Sequence, residues 1–142
     1  MKKLTSGMLR HAISAALLVA IGASAVAQPK IAPKYKASAI EVAQLPKYCW
    51  AQYVDQAYAG HPQFSIPNVC GPYVNHFCPG LVGLMQASSA THSMSGRREI
   101  LRIAAENIQY TLRYKGIQPP CPIYRDVKAA EARANSMRMF VK

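Results

Sequence analysis

Residues 68–81 read N-V-C-G-P-Y-V-N-H-F-C-P-G-L, which sets Cys70, His76 and Cys78 close together among prolines and glycines. Three chemistries could use such a group: metal binding, nucleophilic catalysis and disulfide formation. Zinc and iron–sulfur sites need paired C-x-x-C or clustered ligands, and covalent haem needs C-x-x-C-H. The chain has neither pattern, since Cys70 and Cys78 stand eight positions apart. No metal and no cofactor is therefore expected, and His76 is read as structural, packed at a helix interface with a ring nitrogen bonded to backbone or to Asn75. A cysteine nucleophile needs a free thiol of low pKa beside a base. All four cysteines, Cys49, Cys70, Cys78 and Cys121, follow an export-type leader, and in an oxidising compartment two disulfides are the default.

The carboxylates and histidines offer less. A glycosidase holds two carboxylates about 5–9 Å apart with one buried. Of Glu41, Asp55, Glu99, Glu106, Asp126 and Glu131, all but Glu41 fall on the polar side or first turn of a predicted helix, where caps and ion pairs account for them. A ribonuclease would recruit His61, His76 and His92 as acid and base, but two of these sit in predicted loops. No catalytic residue is assigned. The alternative to a non-catalytic protein is a small cationic hydrolase of muramidase or ribonuclease type.

The leader has a basic start at Lys2, Lys3 and Arg10, an apolar run from Ala12 to Ala23, and small residues ending in Ala25-Val26-Ala27. That is the pattern of a Sec-type signal peptide over residues 1–27, and the run is shorter than the roughly 20 residues a membrane span needs. Cleavage after Ala27 leaves about 115 residues, one small domain, and no transmembrane segment. Removing those three cations from 17 leaves 14 against 6 acidic residues, a mature charge near +8. The expected location is the bacterial periplasm or beyond, and the field favours anionic partners. Nucleic acid is not the expected one, because the arginines are spread over several helices and no aromatic stacking platform is visible.

Residues 28–44 begin Q-P-K-I-A-P-K-Y-K-A-S-A and read as a flexible basic lead, with a short amphipathic turn possible over residues 39–44. The helical domain spans residues 45–142. Pro46 suits a first helical position, and Cys49, Trp50, Tyr53, Val54 and Ala57 recur at helical spacing, giving a first helix over residues 46–59 stopped by Gly60. A second helix runs from just after Cys70 to about Ser88 and kinks at Pro79, which lacks a donor and collides with the Asn75 carbonyl. Ser95 is the expected N-cap of a third helix over residues 96–114, with Glu99 in its first turn and Gly116 closing it. Leu101, Ala104, Ala105, Ile108, Thr111 and Leu112 mark its buried face; Arg98, Arg102, Glu106, Gln109 and Arg113 mark its polar one. A last helix starts at Pro122 and ends near Met139. No segment alternates with period two, so the fold is expected to be all-α: a small disulfide-stapled bundle of about four helices around a central antiparallel hairpin.

That hairpin orders the cysteines. Where helices two and three run antiparallel, the segment leading into the first meets the segment leaving the second, which favours Cys70–Cys121 among three possible pairings and leaves Cys49–Cys78. Tyr48, Trp50, Tyr53 and Tyr58 cluster on helix one as core packing. Whatever part of that cluster stays exposed is the candidate contact surface, together with Arg98, Arg102 and Arg113.

The segment His76-Phe77-Cys78-Pro79-Gly80-Leu81, followed by Leu84, Gln86-Ala87 and Tyr110-Thr111-Leu112-Arg113, resembles exported bacterial proteins with a histidine-aromatic-cysteine-x-glycine-leucine helix in a tetratricopeptide-like (TPR-like) hairpin. The resemblance covers residues 73–113 and the start of the last helix. It implies close packing of Gly80 against Ala104 and Ile108. Pro79 departs from the pattern, and the chain holds only about one and a half repeats where solenoids need about three. Disulfides or a partner would then cover the open face. The reading is an interaction module for another periplasmic protein or an anionic envelope component, with a periplasmic inhibitor or immunity-type protein as a further alternative.

Overall fold

The computed structural model describes residues 36–113 and 117–141. The expected signal peptide, residues 28–35 of the basic lead, and the Gly116 stop lie outside the described residues. Within them the chain forms five α-helices and short 3-10 turns, without a strand. It is a small all-α fold held by two disulfides, Cys49–Cys78 and Cys70–Cys121, the pairing that the hairpin geometry favoured.

The folded body begins before Leu45. Helix α1, Ala39–Gln44, stands where a short amphipathic turn is expected, inside the stretch otherwise expected as a flexible lead, and a capping box explains it. Ser38 Oγ accepts from the Glu41 amide at 3.2 Å, while Glu41 Oε2 accepts from the Ser38 amide at 2.6 Å. Val42 and Leu45 are buried beneath it.

The single first helix expected over residues 46–59 is broken into three. A 3-10 turn at Lys47–Cys49 leads into α2, Trp50–Tyr53, and a second 3-10 turn follows at Gln56–Tyr58. Asp55 causes the break: its backbone is extended, and its side chain accepts from the Ala57 amide at 2.8 Å, capping a new turn instead of continuing the old one. The Ala51 amide bonds to the Phe64 carbonyl at 3.0 Å, which ties the loop to α2.

Pro79 does not kink a helix. Residues Pro72–His76 form a 3-10 segment, entered through Gly71 at φ 81°, and the α-helix starts only at Phe77. Pro79 thus sits in the first turn of α3, Phe77–Ser88, where amides have no intrahelical acceptor and a missing one costs nothing. Helix α4, Met94–Leu112, starts earlier than expected. Ser93, not Ser95, is its N-cap and accepts from the Gly96 amide at 3.2 Å. Glu99 accordingly lies beyond the first turn and pairs with Arg102 instead of serving the dipole. Helix α5, Tyr124–Phe140, begins two residues after Pro122.

α3 and α4 pack antiparallel along their length. Gly80 faces Ile108 and Ala104, Gly83 faces Ala104 and Ile100, and Arg97 Nε donates to the Ala87 carbonyl at 2.8 Å. A Cβ at Gly83 would stand 2.6 Å from the Ala104 Cβ, so only a glycine permits this approach. One apolar cluster joins α3, α4 and α5 through Phe77, Leu84, Leu101, Ile108 and Val127. A second, around Val42, Leu45, Tyr53, Val54 and Val82, lays the N-terminal segments on the other side of α3. Each large side chain fully buried there contributes about 1.5–3 kcal/mol.

Candidate functional site

The segment that opened the sequence reading is structural in its bonding. Cys70 and Cys78 are each in a disulfide, and no cysteine is free. His76 is half-buried at a helix interface, but its partner is Asn107 of α4, not Asn75 or backbone: Nδ1 lies 3.0 Å from Asn107 Oδ1. Its ring packs on Tyr110, centroids 4.5 Å apart, and Tyr110 meets Tyr73 edge-on at 5.1 Å. Among the described residues no group of three or more His, Cys, Asp or Glu could hold a metal ion.

The carboxylates are dispersed and engaged. Glu41 and Asp55 are caps. Glu99 and Glu106 both bind Arg102, at 2.5 and 2.6 Å. The Arg102 hydrogen bond, with its charge behind it, draws the Glu99 carboxyl below its ordinary value, and the two carboxylates raise Arg102 in turn. Glu131 pairs with Lys128. Asp126 is the exception to a role as cap or ion-pair partner. It accepts from the Tyr48 hydroxyl at 2.9 Å and so joins α5 to the start of α2. Burial first, then that hydrogen bond and the Asp126 charge, push the Tyr48 phenol up.

The aromatic candidates separate. Tyr53 is 1 % exposed and belongs to the core. Trp50 is half-buried, stacked on Phe64 with centroids 5.5 Å apart, and its enclosed Nε1 has no acceptor. Tyr48 is half-buried, stacks on Phe77 at 6.4 Å, and lines two cavities. One, of 360 Å³, is floored by Phe77, Leu81, Leu84 and Ala130 and rimmed by Asp126 and Arg133. The other lies on the opposite side, towards the loop around Ile66.

Arg98, Arg102 and Arg113 are exposed, as their polar face predicts. Arg98 and Arg102 line a cleft of 190 Å³ between the start of α4 and the end of α5, with Leu101 and Val141 as apolar lining and Arg138 completing it. Arg102 is held by its two carboxylates, whereas neither Arg98 nor Arg138 has a carboxylate partner among the described residues. Arg113 does not line this cleft. Sequence reasoning missed Arg138, whose only signal was a cation in the last turn of α5. No family model, curated protein or solved structure matches this chain.

Proposed function

We propose that this chain is an exported, non-catalytic binding module whose α4–α5 arginine cleft docks an anionic component of the bacterial cell envelope. The cleft carries the reading: two guanidinium groups without carboxylate partners, Arg98 and Arg138, line one apolar-backed recess. A guanidinium offers a planar fork of donors matched to phosphate and carboxylate oxygens. The mature charge near +8, 14 basic against 6 acidic residues after the leader, draws such ligands in. Two disulfides and the Sec-type leader support export to an oxidising compartment. The α3–α4 hairpin is read as TPR-like on the resemblance of the His76–Leu81 segment to exported bacterial proteins. No helix among the described residues is long and apolar enough to cross a membrane.

Co-sedimentation with vesicles containing anionic phospholipid tests the proposal. Retention should fall with added salt, and Arg98→Ala with Arg138→Ala should weaken it about 30-fold, the worth of two cations at a charged surface. Retention unchanged in that double variant would remove the cleft as the docking site.

A further inference from the structure

A second recess, remote in character from the arginine cleft, lies between α2, the loop around Ile66 and the 3-10 segment Pro72–His76. It measures 490 Å³, within the range of about 300–1,000 Å³ typical of small-molecule sites. No charged side chain lines it. Its polar lining is dominated by carboxamides, from Gln52, Asn68 and Asn75, and its apolar lining includes Tyr48, Ile66 and Val74. Neither Asn68 nor Asn75 is bonded through its side chain to another described residue, and both are exposed. Gln52 stands out further. Its Oε1 is enclosed and has no hydrogen-bond partner within the protein.

A carboxamide carries one acceptor oxygen and two donor hydrogens in a plane. The group that satisfies it from both sides is another amide, whose N–H and C=O lie in a plane of their own. An enclosed carbonyl oxygen left unbonded is a standing cost, and the side chain that carries it, Gln52, lines the cavity. A carboxylate or phosphate would find no cation among the lining residues, and a cation would find no anion. A wholly apolar ligand would displace water from the carboxamides and return no hydrogen bond. The Ile66 and Val74 lining suits a methyl group, and the Tyr48 ring, fixed by Asp126, forms an aromatic wall.

We propose that this cavity binds a neutral secondary amide bearing a small apolar group, as presented by an N-acetylated sugar or by a peptide bond. The two sources share the recognised chemistry and are told apart by titration of the oxidised full chain. Nitrogen-15 NMR would follow N-acetylglucosamine, N-acetylalanine N-methylamide and, as an amide-free control, glucose. For ligands of this size binding at about millimolar concentration is expected, with shifts at Gln52, Asn68 and Asn75. Shifts with the sugar alone, with the blocked alanine alone, or with both each support the site and name its source. Gln52→Leu should weaken the responding probe at least about fivefold, while leaving the fold intact or more stable because an unbonded polar atom is removed. Asn75→Ala, at an exposed position, should weaken it as well. Shifts with neither amide, equal shifts with glucose, or unchanged affinity in both variants would overturn the proposal. Arg98→Ala with Arg138→Ala should leave these shifts unaltered, so this test and the vesicle test fail independently.

Discussion

Replacing Cys70 and Cys121 together by alanine, and separately Cys49 and Cys78, tests whether covalent bonds or core packing hold this fold. The two bonds span sequence separations of 51 and 29. On a chain-entropy basis the longer loop stabilises by about 4.1 kcal/mol and the shorter by about 3.6 kcal/mol at room temperature. A domain of this size has about 5–15 kcal/mol in all, so either loss takes a large share. All four cysteines are buried, and alanine avoids the unbonded hydroxyl that serine would place there. Denaturant unfolding reads the result. Both pairs should lower the midpoint and raise the m-value, because an uncrosslinked unfolded chain exposes more surface. Their local signatures should differ. Without Cys49–Cys78, hydrogen exchange should open residues 39–58 ahead of α4, since the second apolar cluster and the contacts of Tyr48 with Phe77 and Asp126 are then all that hold that layer down. Without Cys70–Cys121, protection should fall across α3, α4 and α5 together. A cost under about 1 kcal/mol for both pairs, with unchanged m-values, would refute the view that unfolded-state entropy is what the bonds act on.

Two further outcomes are expected. Gly83→Ala should cost about 2 kcal/mol net, overpacking offset by gained helix propensity, because the new methyl meets Ala104, which cannot turn aside. Gly80→Ala should cost a similar amount, since its new methyl meets Cγ1 of Ile108, a fully buried β-branched side chain held to one rotamer in its helix. Ala104→Gly should restore most of the Gly83→Ala loss in a double-mutant cycle; no recovery would contradict the close approach. Tyr48→Phe should change the alkaline limb of stability. The folded phenol titrates above its ordinary value of 10.0, so its contribution is complete below about pH 10 and is lost as pH rises through the folded value. The stability difference between the natural chain and the variant should be constant to about pH 10 and shrink above it; parallel profiles to about pH 11 would refute the assignment.

The disulfide pairing and α4 were legible in the sequence because both follow from local periodicity plus one short turn. Leu101, Ala104, Ala105, Ile108 and Thr111 are all buried as their spacing requires. The first helix was misread because its break depends on Asp55 choosing a cap over a helix and on Phe64, far along the chain, bonding to Ala51. α1 carried a readable Ser38-x-x-Glu41 capping box inside a stretch judged by its lysines and prolines. At Pro79 the rule that predicted a kink holds only inside a helix, and the preceding 3-10 segment, which the sequence does not announce, puts Pro79 in a first turn instead. The arginine cleft was half legible. Arg98 declares itself on a polar face, but its companion Arg138 comes from another helix, and their adjacency is tertiary. Gln52 gives no sign at all, since an enclosed unbonded amide is spelled like an exposed one.

The two sulfur bridges interleave, the second opening at Cys70 before the first closes at Cys78. Any single peptide bond between Cys49 and Cys121 can therefore be cut and the polypeptide stays in one piece. A protease acting at the turn after Ser88, or in the loop near His61, nicks without releasing a fragment. Tension applied at the two ends takes the short route from Cys49 through the sulfurs to Cys78, back to Cys70 and on to Cys121. α4 and nearly all of α3 lie off that route and bear no load.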